Sequence, residues 1–166
     1  MKRYTSIVFL LFILMFPTKV RGEDSTLILT FKSEANHSIL KSELRAGLWK
    51  KGQDGPDPLD LEAMLNGPFE VHFESFPPES VPRHNLWWDI RSSNPWQEWK
   101  IQVMSPPHVM TVVEWREVHH ETGKGPVTYN ILDTETGQVR ELDVTSGTFS
   151  FSTTGHKTLI LKSRPR

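Results

Sequence analysis

The sequence predicts an all-β domain, a sandwich of about eight antiparallel strands. Three observations predict it. Apolar and polar residues alternate with period two in most segments from Thr26 onward, the spacing of strands with one buried face. Glycine-containing turn signals separate these segments at short intervals: Asp133-Thr134-Glu135-Thr136-Gly137, Ser146-Gly147 and Thr154-Gly155. Short strands joined in this way suit two packed antiparallel layers. Finally, helix has room only in residues 38–51 and 58–65, and the second holds at most about two turns.

The chain opens MKRYTSIVFLLFILMFPTKVRG. Lys2 and Arg3 give a positive start, residues 7–16 are an unbroken apolar run, and Val20 and Gly22 supply small residues. This is the layout of a signal peptide cut after Gly22. The apolar run is shorter than the roughly 20 residues of a spanning helix. A retained anchor is therefore the second choice, kept open by Lys19 and Arg21 so near the cut. The mature unit is one domain, residues 23–166, secreted or held in the cell envelope, and it meets a membrane only through its signal during export.

The signal takes four of the 19 basic residues and none of the 20 acidic ones, which leaves 15 against 20, a net −5. That balance lacks the electrostatic footprint of a nucleic-acid or anionic-membrane binder. The chain has no cysteine, so its core must hold without the disulfides common in small secreted domains. Six tryptophans in an exported, cysteine-free chain point to a bacterial envelope or extracellular setting.

Taken in order, Leu27, Leu29 and Phe31 share one face of the first strand, and Phe69, Val71 and Phe73 alternate with Glu70, His72 and Glu74. Leu86, Trp88 and Ile90 read as a core face, with Trp87, Asp89 and Arg91 pointing the other way. Trp99, Ile101 and Val103 form the next apolar face, followed by Thr111, Val113 and Trp115, and then Val127, Tyr129 and Ile131. Phe149 and Phe151 oppose Ser150 and Ser152, and residues 158–161 are a short apolar run. Prolines mark loops at 77–82 and at 106–107.

The order of segments from Trp99 onward is EWKIQV, VMTVVEW, YNILDTETGQVRELDV and GTFSFSTTGHKTLIL. It resembles a bacterial extracellular, immunoglobulin-like or fibronectin-III-like accessory module found at the C-terminus of larger secreted proteins. That family runs W-x-I-x-V, V-x-x-W and L-x-D-x-x-T-G-x-V, with an Asp-Gly-x-Asp loop upstream; Asp54-Gly55, Asp57 and Asp60 occupy its place here. The resemblance covers residues 39–161 and implies an accessory or adhesive role with no attached activity.

Two groups of residues are candidate sites. Asp54, Asp57 and Asp60 lie three apart in KKGQDGPDPLDLE and could give calcium three of its six to eight oxygens. Without a cation, the same aspartates would cap turns and a short helical turn. Trp87 and Trp96, with Asp89 and Arg91 beside the first, could stack a sugar ring or meet a protein partner; alternatively, Trp87 covers the second sheet or a loop. His119 and His120 point to opposite faces of a strand and suit no single ion.

No nucleophile elbow, phosphate-binding glycine loop or HExxH helix is present, and no carboxylate lies in an apolar run that would make it a general acid. The expectation is a non-catalytic binding or adhesion module acting on a protein or glycan outside the cytoplasm. A carbohydrate-binding module is the alternative, and an unrecognised glycoside hydrolase-like enzyme the second.

Overall fold

Inward-facing Leu27, Leu29 and Phe31 and, opposite them, Leu44, Ala46 and Leu48 explain the first element pair of the computed structural model. They place β1 (Ser25–Ala35) and β2 (Ser38–Trp49) in a long antiparallel hairpin, in register from Ser25↔Leu48 to Ala35↔Ser38. The structure describes residues 25–35, 37–55, 57–65, 67–74, 85–119, 127–142 and 146–165. The signal peptide and its cut, the proline loop at 77–82 and His120 lie outside them.

Nine further strands follow: β3 (Leu61–Glu62), β4 (Glu70–Glu74), β5 (Asn85–Ser92), β6 (Gln97–Met104), β7 (Met110–His119), β8 (Val127–Asp133), β9 (Val139–Leu142), β10 (Ser146–Ser152) and β11 (His156–Pro165). They run in the order β10-β7-β1-β2-β5-β4-β6-β11-β8-β9, with β3 beside β5. Trp99, Tyr129, Phe31, Phe73, Ile101 and Leu161 are fully buried inside the curved sheet. The Asp133–Gly137 turn closes the β8–β9 hairpin: Gly137 takes φ 71° and donates its N–H to the Asp133 carbonyl at 2.9 Å. A side chain rarely adopts that backbone region, which glycine enters freely.

The all-β expectation holds. The finer one, two stacked sheets of about eight strands, does not describe this connectivity: eleven strands form one nearly closed, barrel-like sheet. The element that joins what would be two layers is β2–β5, the one parallel pairing among the described residues, from Arg45↔Trp88 to Trp49↔Ser92. Both helix candidates are also corrected. Residues 38–49 are strand because a full ladder to β1 fixes Leu44, Ala46 and Leu48 inward at spacing two; residues 58–59 turn and lead into β3.

Among the described residues, β9 and β10 end the path and do not pair with each other. The seam between them is spanned by side chains, Arg140 of β9 lying over the Phe149 ring of β10.

Candidate functional site

The acidic segment is a fixed connection. Asp57 accepts the N–H groups of Gln53 (2.9 Å) and Leu59 (2.7 Å). Asp60 accepts those of Asp57 (3.0 Å) and Ile90 (3.0 Å). Asp54 accepts the Ser92 N–H at 3.2 Å and the Gln97 side-chain amide at 2.8 Å. Asp57 thus shapes the loop, while Asp54 and Asp60 fasten it along β5. Among the described residues no three His, Asp or Glu side chains are grouped to hold a metal ion.

Burial pushes the Asp60 carboxyl up to about 6, with Asp89 and Asp57 adding repulsion and its backbone hydrogen bonds opposing the rise. Between pH 3.8 and about 6 the folded chain keeps a proton that the unfolded chain releases. The contribution of Asp60 to stability therefore declines as pH rises through that window and is constant above it. Denaturant titrations of wild type and Asp60→Asn from pH 3.5 to 7 are expected to show the wild type losing ground to the variant across it. For the loop itself, Asp57→Ala is expected to cost about 1–2 kcal/mol through two lost acceptors. Calcium or excess chelator is expected to leave the thermal midpoint of either protein in place.

The second group required a correction of faces. Leu86 and Trp87, adjacent in sequence, both pack on the core. The β3 partners step from Leu61↔Trp88 to Glu62↔Leu86, so Trp87 is the extra residue of a β-bulge. A one-residue slip inverts every later side chain. Beyond the bulge Asp89 and Arg91 pair with the core residues Ala46 and Leu48, while Trp88 and Ile90 pair with Arg45 and Gly47 on the opposite face, where Ile90 is nevertheless buried as the sequence suggests, 3% exposed. The Trp88 ring accordingly lies 4.4 Å beneath the Arg45 guanidinium, outside the core cluster.

Asp89 and Arg91 are therefore not flanking groups of an exposed tryptophan. Arg91 donates Nε–H and Nη2–H to the Asp89 carboxylate at 3.0 and 2.9 Å and Nη1–H to the Glu98 carbonyl at 2.7 Å, and it stacks 5.1 Å from the buried Trp99 ring. The pair is 8% and 19% exposed. Its polar capacity is used internally, which knits β5 to β6. Trp96 stands apart, 66% exposed in the connection before β6, with its N–H on the Asn94 side chain. The structure does not bring Trp96 and Trp87 into one exposed platform, since Trp87 is half-buried on the core.

The seam is the feature that residue-by-residue reading missed. Lys157 on β11 is 3% exposed, and its Nζ donates to Asp133 and Glu135, each at 2.9 Å. Burial alone would lower its pKa, but these carboxylates hold it above the ordinary 10.5. Burial likewise opposes ionisation of Asp133, yet the Lys157 hydrogen bond and the N–H groups of Thr136 and Glu135 keep its carboxyl below 3.8.

Across the gap, β10 presents two rings to two cations. Lys157 lies 5.5 Å from Phe151, and Arg140 of β9 lies 5.4 Å from Phe149. Between them is a shallow hollow, open to solvent, lined by Ile131, Asp133, Gln138, Arg140 and Leu159 with these rings. Gly147, second residue of β10, lies under the Trp115 ring, where a β-carbon would sit 2.2 Å from the nearest ring atom, so no side chain fits there. Among the described residues, β10 pairs on one side only, with β7.

No protein-family model, curated protein or solved structure matches the chain.

Proposed function

We propose that the chain is an exported, non-catalytic binding module that holds a protein partner outside the cytoplasm by strand addition along β10. The supporting observation is the edge itself: seven residues, Ser-Gly-Thr-Phe-Ser-Phe-Ser, with no charge and no proline. Exposed edges are normally blunted by charge, proline, bulges or cover, and one without them is a template for an extended chain. The resemblance to immunoglobulin-like accessory modules supports a binding role as well. Sugar binding has Trp96 alone in its favour.

A photo-crosslinking residue in place of the exposed Ser150, in the cell that exports the protein, tests this. Covalent capture of one discrete protein is expected from position 150 and not from position 41, on the exposed outer face of β2. Capture from neither position, with retention on insoluble polysaccharide that Trp96→Ala removes, would replace this reading with the carbohydrate one.

A further inference from the structure

Among the described residues, two that are not glycine adopt a positive φ, and both are histidines: His37 at 62° and His108 at 63°. Few side chains enter that region, and glycine is the usual choice where a turn needs it. His37 sits in the two-residue loop between Ala35 and Ser38 that closes the β1–β2 hairpin, a place that glycine normally fills. His108 belongs to the β6–β7 connection, where it donates its N–H to the Thr153 carbonyl at 2.9 Å. At both places the chain carries an imidazole against the preference of its backbone.

The fold brings the two positions together. β1 and β7 are in register as far as Ser33↔Thr111. His37 lies four residues beyond Ser33 and His108 three before Thr111, so the turn and the connection meet at one end of the sheet. Both histidines are exposed and line the same shallow hollow, open to solvent, with Glu34, Val109 and Met110. Neither imidazole has a hydrogen bond or ion pair among the described residues.

We infer that this hollow binds a copper ion through the imidazoles of His37 and His108 and the thioether of Met110. Met110 is 55% exposed although apolar, which leaves its sulfur accessible. Glu34 does not complete a group of three histidine and carboxylate ligands; it adds negative charge at the rim. Two imidazoles and a thioether are neutral, soft-to-borderline donors. Calcium and magnesium take oxygen ligands instead. Thioether selects copper(I), and a nitrogen site holds copper(II) more tightly than the other divalent first-row ions.

The test is titration of the exported protein, stripped of metal, with copper(II) and, under ascorbate, with copper(I). One equivalent is expected to bind, and the copper(II) electron paramagnetic resonance spectrum to show two nitrogen donors. His37→Asn and His108→Asn are the informative variants, because asparagine accepts a positive φ and leaves the backbone in place. Each is expected to keep the wild-type urea midpoint without metal, to remove one nitrogen from the spectrum and to weaken binding at least about tenfold, the loss typical even of a ligand's outer partner. Met110→Leu should weaken copper(I) more than copper(II). His119→Asn, in the competing histidine pair, should change neither. Unaltered binding in either the His37 or the His108 variant, or loss of copper with His119→Asn, would overturn the inference. So would zinc(II) held as tightly as copper(II), together with copper(I) binding indifferent to Met110→Leu.

Discussion

Trp99→Ala is expected to destabilise the fold by about 3–5 kcal/mol, read as a lowered urea midpoint. Trp99 is fully buried, 6.4 Å from the Tyr129 ring and beneath the Arg91 guanidinium. Truncation leaves a cavity that paired strands on either side are poorly placed to close, since Trp99 and its ladder partner Leu161 are both in the core. Against a typical total of about 5–15 kcal/mol this is a large share. Trp88→Ala is the informative comparison. It should cost about 1 kcal/mol, mostly the stacking with Arg45. Similar losses in the two variants would contradict the face inversion at Trp87.

Lys157→Met is expected to cost about 3 kcal/mol at pH 7, the lower end of the range for breaking a buried ion pair, because both carboxylates reach water. Asp133 and Glu135 are 16% and 47% exposed against 3% for Lys157. The pH dependence follows from the two displaced pKa values. The lysine's contribution is complete below 10.5 and is lost as pH rises through its higher folded value. The Asp133 contribution is complete above 3.8 and is lost as pH falls through its lower folded value. Denaturant unfolding across pH should therefore show a wild-type advantage that is level at intermediate pH and shrinks at both extremes. An undiminished midpoint for the variant at pH 7 would mean that the seam does not depend on this lysine.

Strand content was legible because alternation is a local signal. Leu27, Leu29 and Phe31 need no distant partner to be recognised, and Asp133 with Gly137 announces its own turn. Residues 38–51 were ambiguous for a definite reason. Leu40, Leu44 and Leu48 are spaced four apart and fit a helix face, while Leu44, Ala46 and Leu48 fit a strand, and only pairing with β1 decides. The aspartates were ambiguous in the same way. The N–H groups that Asp60 and Asp54 bind on β5 are 30 and 38 residues away, so spacing within the loop could not separate a cation site from a fastening. The Trp87 bulge leaves no mark in composition. The seam depends on the order of all ten strands of the path, which no short window contains.

The bulge also decides what kinds of sequence change β5 can absorb. Its side chains obey one two-residue rhythm up to Leu86 and the same rhythm, shifted in phase, from Trp87 onward. Which residue is interior is thus a matter of counting. Losing Trp87, the extra residue, would restore unbroken alternation and leave Asp89 and Arg91 inward and the Asp60 contact with Ile90 in place. Gaining one residue between Leu86 and Asp89 would instead turn Ile90 inward and send the Asp89–Arg91 pair to the other face, releasing the acidic loop from its anchorage on Ile90. β5 can give up a residue where it cannot take one.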